Sequence, residues 1–340
     1  MEKEHRTRSF LIGGAAVAAL AYALVRSSRR MDFDGKTVVI SGASRGLGLE
    51  LARAFAAEGA DLVLLARNEV ELARAAKELR GYNTKITSLA CDVTQQHQVR
   101  NAVDKIAAAS GRIDVLVNNA GTIQVGPIEN MEPEDYRDAM AVHFWGPFHL
   151  IEEVLPHMKA RRRGRIVNIA SIGGKVAVPH LLPYVASKFA LVGLSEGLRA
   201  ELLKDGIYVT TVCPGLMRTG SHLNAYFKGQ HRKEFALFAI TNASPLFSTT
   251  SGAAAREIIE ACRYGKAELV ITPQARLLRL AHSLFPGLIA EGFGLVNRLL
   301  PRAQAGEGDR LQRGAESRSA LAPSWLTGPA DRAASRNNEV

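Results

Sequence analysis

A doubly wound parallel α/β sheet in one domain, with an N-terminal hydrophobic helix before it and a disordered C-terminal tail after it, is the fold these 340 residues predict. Three observations carry that reading. Short, continuously apolar runs recur along the chain, as strands buried on both faces of a parallel sheet require. Alanine- and leucine-rich stretches of helical length separate them. No break in composition divides residues 32–300, and 47 % hydrophobic with 22 % charged residues is the make-up of a folded domain, not of a fibrous or wholly disordered chain.

Taken in order, Thr37–Ser41 is a β-branched strand that ends in Gly42-Ala43-Ser44-Arg45-Gly46-Leu47-Gly48, and the helical stretch Leu49–Glu58 follows. Asp61–Leu65 is the next buried strand and Glu69–Leu79 the next helix. Ile86–Ala90 and Val99–Ala109 repeat the pattern, and Ile113–Val117 is again a strand. A helical region reaching His157 precedes the strand Arg165–Ala170. A helix around Leu191–Leu203 leads to Tyr208–Val212, and Glu268–Ile271 is the last strand.

The net charge of +10 divides unevenly. Six Lys/Arg face two Glu in residues 1–30 and six face five acids from Arg302 onward, which leaves only +5 for the middle. The one dense run there, Arg161-Arg162-Arg163-Gly164-Arg165, lies between a helix and a strand and reads as a solvated turn. Without zinc-finger spacing or a basic ribbon interleaved with aromatics, no nucleic-acid partner is expected. Cys91, Cys213 and Cys262 are too few and too widely spaced for a disulfide framework or a metal cluster. They fit a reducing compartment.

Four segments result: 1–30, an anchor with basic flanks; 31–275, the α/β domain; 276–302, an apolar helical segment; and 303–340, the tail. Between Ser9 and Val25 no residue is charged. A helix over that span is about 25 Å long, a little short of a roughly 30 Å hydrocarbon core. Three readings compete: a signal peptide with Ala21-Tyr22-Ala23 as its small-x-small site, a chain that starts at Met31, and an uncleaved membrane anchor, which is preferred. Equal numbers of basic residues on the two flanks leave the helix unoriented. The free cysteines and the cofactor argued next favour a domain on the cytoplasmic side. Arg276–Leu300 reads either as two short helices covering the core or as a membrane-surface pair. From Ala303 the chain is rich in Gly, Ala, Ser, Arg and Pro without apolar periodicity, which predicts disorder.

A glycine-rich loop between a strand and a helix sets backbone N–H groups and a helix N-terminus against a pyrophosphate. Its position after the first strand of a βαβ unit gives Gly42, Gly46 and Gly48 that function here. An NAD site carries an acid about 20 residues further on, to hold the ribose 2′-hydroxyl. The strand ending at Leu65 is followed instead by Ala66-Arg67-Asn68. Arg67, with Arg45 in the loop, would face a 2′-phosphate, so NADP(H) is expected over NAD(H).

Further along stand Asp92 in Cys91-Asp92-Val93, Asn118-Asn119-Ala120-Gly121, Ser171, Tyr184-Val185-Ala186-Ser187-Lys188, and Pro214-Gly215 with Thr219. In this order, and each on the matching element, they make residues 33–275 resemble the short-chain dehydrogenase/reductase family. The resemblance implies a Rossmann fold and a nicotinamide cofactor touching Gly42, Ser44, Arg45, Gly46, Leu47, Gly48, Arg67, Asp92, Val93, Asn119, Ala120, Gly121, Tyr184, Lys188, Pro214, Gly215 and Thr219. It also implies catalysis by Ser171, Tyr184 and Lys188. The residue types support this independently. Tyr184 and Lys188 are four apart and share a helix face. An ammonium beside the phenol is expected to lower its pKa toward neutrality and make it a general acid or base. Ser171 can hold the substrate oxygen. The sequence departs from the family at one point, where His143 stands in the place of a catalytic asparagine that acts largely through its main-chain carbonyl. The imidazole is either tolerated there or has a role of its own. No metal is expected.

Leu216–Phe247 lies where the family places a mobile lid, and it holds Leu216, Met217, Leu223, Tyr226, Phe227, Phe235, Leu237, Phe238 and Ile240. Those side chains either face a lipophilic carbonyl or alcohol substrate or simply pack on the core. The expected activity is NADP(H)-dependent interconversion of a carbonyl and a secondary alcohol by a homodimer or homotetramer. Its rivals are reduction of a soluble metabolite, such as a sugar or an acyl thioester, and a non-catalytic NADP(H)-sensing scaffold.

Overall fold

The computed structural model describes residues 27–319, 322, 324 and 327–340. The apolar segment 9–25, read above as an anchor, lies outside them. Among the described residues no helix is long and apolar enough to cross a membrane.

The strands are β1 (Thr37–Ser41), β2 (Asp61–Ala66), β3 (Ile86–Ala90), β4 (Val115–Asn118), β5 (Gln124–Val125), β6 (Gly164–Ile169), β7 (Ile207–Pro214), β8 (Leu216–Arg218), β9 (Tyr226–Phe227), β10 (Ser248–Thr250), β11 (Glu268–Ile271) and β12 (Gln312–Arg313). The helices are α1 (Gly46–Ala57), α2 (Glu69–Leu79), α3 (Gln96–Ser110), α4 (Pro133–Met140), α5 (Gly146–Ala160), α6 (Leu182–Leu202), α7 (His231–Ala243), α8 (Ser251–Arg263), α9 (Pro273–Leu284), α10 (Pro286–Asn297) and α11 (Gly328–Arg336). Seven strands form one sheet in the order β3-β2-β1-β4-β6-β7-β11, every pair parallel. Val39 of β1 pairs with Val63 on one side and Leu116 on the other, so the chain reverses its direction of winding between β1 and β4. Open α/β sheets bind ligands in the crevice at such a switch point.

Both faces of the sheet are covered, as the apolar strands require. One face packs Phe33, Leu49, Leu51, Phe55, Ile258 and Ile259 beneath α1 and α8. The other packs Val103, Ile106, Leu150 and Val154 beneath α3 and α5. Burial of each such side chain contributes roughly 1.5–3 kcal/mol. The strand at the edge, β3, is half-exposed.

Two expectations need correction. The tail is not disordered over its described part. The strand β12 pairs antiparallel with β9, and α11 buries Ala330 and Ala334. Its contacts are made by alanines, glycines and main-chain groups; Gly314, for example, lies so close to the His222 carbonyl that a Cβ would come within 1.9 Å of it. Small residues carry almost no apolar periodicity, so composition mimics a loose chain. The basic run is not a plain solvated turn either. Arg161 reaches the fully buried Asp114 carboxylate at 2.6 Å. Arg165 is only 3 % exposed, lies over the Tyr208 ring at 4.5 Å and donates to the Cys262 carbonyl. All three cysteines are buried free thiols, and burial pushes Cys213 and Cys262 up to about 12.

Helices α9 and α10 form a hairpin that meets the core only at the start of α9, where Ala275 packs with Cys213 and Val270. No residue of α10 is buried, and Leu277, Leu284, Phe285, Leu288, Leu295 and Leu299 all stand exposed.

Candidate active site

The carboxyl ends of β1, β4, β6 and β7 gather most of the residues singled out in the sequence. Leaving β1, the chain turns through Gly42, whose φ of +64° favours glycine. A Cβ there would come within 2.8 Å of Ala120 Cα, and one on Gly48 within 2.0 Å of the Gly42 carbonyl. The loop is therefore a tight backbone cradle at the start of α1, and Leu47 is buried just inside that helix. The first strand and the fourth are tied together by Asn119. Its amide nitrogen donates to the Ser41 and Gly42 carbonyls at 3.2 and 3.1 Å, while its own N–H and that of Ala120 donate to Ser41 Oγ. Gly121 lies next to His143, and a Cβ on it would sit 3.2 Å from Nε2. Asn118 faces away, donating to Asn168 Oδ1 at 2.8 Å within the sheet.

Asp92 follows β3. Its carboxylate accepts from the Thr94 amide and hydroxyl and fixes the turn beside the buried Val93. Arg67 is exposed at the end of β2, and the next residue, Asn68, caps α2 by accepting from the Val70 and Glu71 amides. Arg45 does not stand open to solvent. Nη1 meets Glu71 at 3.0 Å, Nε meets Glu339 at 3.6 Å, and Ser44 Oγ also donates to Glu71.

On the opposite side of the crevice, Ser171 follows β6, and Tyr184 and Lys188 lie on α6. Ser171 Oγ accepts from the Gly173 amide at 3.0 Å and shares a side-chain hydrogen bond with Tyr184. Lys188 Nζ lies 5.7 Å from the centre of the Tyr184 ring and donates to the Ile169 carbonyl at 2.8 Å. The electrostatics correct the sequence reading, in which Lys188 lowers the pKa of Tyr184. Burial raises the phenol above its ordinary value; the Ser171 hydrogen bond opposes this without reversing it. The same burial lowers Lys188 to about 7. Desolvation is the largest cause of both shifts.

His143 lies in a π-helical turn, Ala141–Trp145, between α4 and α5. Its ring meets the Tyr184 ring edge-on at 5.4 Å. Nε2 accepts from the Thr122 amide at 3.1 Å, and Nδ1 lies 2.7 Å from Ser187 Oγ. Ser187 gives its own proton to the Tyr184 carbonyl, so Nδ1 carries the proton and the imidazole is neutral. Burial, then the neighbouring Lys188, hold its pKa well below the usual histidine value.

Pro214 ends β7, and the Gly215 amide donates to the Ile271 carbonyl. A Cβ on Gly215 would strike Thr272 Oγ1. Thr219 is buried and accepts from the Ser221 amide. In the lid segment, Leu223, Phe227 and Phe235 are buried in a satellite core with Val125 and Ala334, while Leu237 is exposed. Sequence reasoning missed Glu71, Ser187 and residues 337–339, all of which meet the site. Only Glu71 had a signal, three places after the helix-capping Asn68.

The geometry permits one chemistry most directly: an anion cradled on the glycine turn, and a substrate oxygen between a serine hydroxyl and a tyrosine. Comparison with known proteins agrees. A family model described as short chain dehydrogenase matches residues 36–226. The chain is 40 % identical over 214 residues to the ketoacyl reductase 1 assigned to the granaticin polyketide synthase of Streptomyces violaceoruber, covering 61 % of this chain and 79 % of that one. It resembles the crystal structure of a short-chain dehydrogenase from Streptomyces avermitilis at a TM-score of 0.66 and 29 % identity, over 79 % of this chain and 99 % of that one. The L-sorbose reductase of Gluconobacter frateurii, solved with NADPH and L-sorbose, gives 0.64 and 28 %, over 71 % and 97 %. Sequence motifs, sheet order and site geometry thus converge, and the chain belongs to the short-chain dehydrogenase family, oxidoreductases that act on CH–OH and C=O groups.

Proposed function

We propose that the protein is an NADP(H)-dependent oxidoreductase that interconverts a lipophilic ketone and its secondary alcohol, held at a membrane with its catalytic domain on the cytoplasmic side. The observation that carries the oxidoreductase reading is the convergence of Ser171, Tyr184 and Lys188 on one side of the crevice with the glycine cradle on the other. The cradle fits a dinucleotide diphosphate: a Cβ on Gly42 or Gly48 would close it, and a carboxylate, that of Glu339, already lies against Gly46. Gly42, Ser44–Gly48 and Asn119–Gly121 would hold the cofactor's phosphate end, and Pro214, Gly215 and Thr219 its nicotinamide end.

When bound, the nicotinamide cofactor supplies the hydride. Ser171 Oγ holds the carbonyl oxygen of the substrate. Tyr184, protonated at neutral pH as any phenol is, gives its phenolic proton to that oxygen as the C–H bond forms, and the alcohol leaves. Lys188 returns the proton to Tyr184 and, with a pKa near 7, exchanges it with solvent. His143 acts as a positioning residue, through Ser187 and the Thr122 amide.

NADP(H) is supported by Arg45 and Arg67 at the ribose end and by the absence of a carboxylate directly after β2. Lipophilicity and membrane attachment are supported by the uncharged segment 9–25 and by the exposed leucines of α9 and α10, not by the lid, whose phenylalanines are largely spent on its own core. A polar keto sugar is the rival substrate, favoured by the likeness to L-sorbose reductase.

The deciding experiment follows NADPH oxidation against a long-chain ketone, a steroid ketone, a 3-ketoacyl thioester and a keto sugar, with Tyr184→Phe as control. Turnover of the apolar ketones, lost in the control, is expected. Preference for the keto sugar would overturn the lipophilic assignment, and NADPH binding without turnover of any carbonyl would overturn the enzyme assignment. Flotation of the full chain with vesicles, against a chain begun at Met31, tests the anchor; equal behaviour of the two would remove it.

A further inference from the structure

The glycine cradle is filled by the protein's own tail. The Gly46 amide, a donor at the start of α1, gives its hydrogen bond to the Asn337 carbonyl at 2.9 Å. Asn338 donates through Nδ2 to the Ser44 carbonyl at 2.8 Å and to the Glu71 carbonyl at 3.2 Å. The Glu339 carboxylate lies over the turn itself: one oxygen is 2.7 Å from where a Gly46 Cβ would be, and the other is 3.6 Å from Arg45 Nε and accepts from Asn224 at 2.7 Å.

This placement is not a loose end draped on a surface. Asn337 is 1 % exposed and donates to Ser251 Oγ and the Thr219 carbonyl, and Arg53 reaches both its side chain and the Arg336 carbonyl. Helix α11 delivers the segment, and Ala334 sits so close to Gly220 that a Cβ there would be 2.4 Å from the Ala334 Cα. The tail thus spans the crevice from the Thr219 segment to the glycine turn.

We propose that residues 337–339 are an intramolecular plug of the dinucleotide site, with the Glu339 carboxylate in the place of a cofactor phosphate beside Arg45 and Gly46. The proposal rests on the glycine loop being the cofactor's diphosphate site. The Gly46 N–H is taken by the Asn337 carbonyl, and Glu339 lies over the turn beside Arg45, so a phosphate cannot occupy the same ground and cofactor and docked tail exclude each other. The apparent affinity for NADPH is then the intrinsic affinity multiplied by the fraction of molecules with the tail out. Anything that draws α11 away opens the enzyme. The contacts suit a reversible device: they are polar and made by three adjacent residues, while the apolar anchorage of α11 comes from two alanines.

Two measurements on the full chain test this. The double variant Asn338→Ala/Glu339→Ala should bind NADPH at least threefold more tightly than the unaltered protein, with the same kcat at saturating NADPH; unchanged or weaker binding would overturn the plug. Hydrogen exchange of the unaltered protein should show residues 328–340 losing protection when NADPH saturates it. If NADPH binds and that protection stays, the plug is wrong while the cofactor reading stands. If neither protein binds NADPH or NADH, plug and cofactor reading fall together.

Discussion

His143 and Ser187 face each other at 2.7 Å inside the protein, with the imidazole proton pointing at the hydroxyl and the hydroxyl proton at the Tyr184 carbonyl. This pairing binds the π-helical turn to the helix that carries Tyr184 and Lys188. The far ring nitrogen binds the loop after β4 through the Thr122 amide. One side chain therefore sets the spacing of three segments around the site without titrating at physiological pH.

His143→Asn should keep activity within about tenfold, or roughly 1.4 kcal/mol. The shorter amide keeps the main chain in place and one acceptor within the cavity. A larger loss in steady-state turnover would assign the imidazole a role of its own. His143→Ala, by contrast, takes the partner from the part-buried Thr122 N–H and from Ser187, and thermal unfolding should show a loss of about 1–3 kcal/mol.

Lys188 carries a pH signature. Burial lowers it from 10.5 to about 7, so the unfolded chain holds this proton more tightly than the folded one. The penalty of the buried ammonium is complete below about pH 7, shrinks as the pH rises, and vanishes above the unfolded value. Lys188→Met should therefore abolish turnover and yet stabilise the fold at pH 6–7 by about 2 kcal/mol or more. The gain should decline on going to pH 10. A variant less stable than the parent at pH 6 would contradict the lowered pKa.

Asp114 behaves in the opposite sense. Burial pushes its carboxyl up, but hydrogen bonds from Arg112, Arg161 and the Thr37 amide outweigh it, and the net pKa is lowered. Its contribution is present at neutral pH and disappears as the pH falls below about 4. Asp114→Asn should cost about 3 kcal/mol at pH 7, since it leaves Arg112 and Arg161 half-buried without their counter-charge. The deficit measured by urea unfolding should narrow in acid; a deficit independent of pH would refute this account.

Cofactor choice is tested at Arg67. Exchange for aspartate sets a carboxylate beside the ribose end, and the ratio of kcat/KM for NADPH to that for NADH should fall at least tenfold. An unaltered ratio would leave the preference to Arg45 alone.

The alternation of strands and helices was legible because each strand is a continuous apolar run, and Asp61–Ala66 and Glu268–Ile271 fall within a residue of their expected limits. The cradle was legible from its glycines after the first strand, and the Ser171, Tyr184 and Lys188 set from the order of motifs shared with a known family. Two things escaped. The tail's packing is carried by Ala330, Ala334, Gly314 and main-chain groups, which have no pattern that composition can register. The direction of the Tyr184 shift depends on how deeply the pair is buried, and four residues of separation on a helix say nothing of depth.

The docking of Met31 sets a mechanical limit. Its amide donates to the Arg263 carbonyl, its side chain is wholly enclosed, and Arg165 grips the carbonyl of Arg29 two residues earlier. Between that grip and Val25 only three residues intervene. Even fully stretched, such a tether reaches no more than about 15 Å. An anchor at 9–25 would thus hold the domain against the lipid headgroups like a short-leashed animal, and the molecules within its range would be those that partition into that layer.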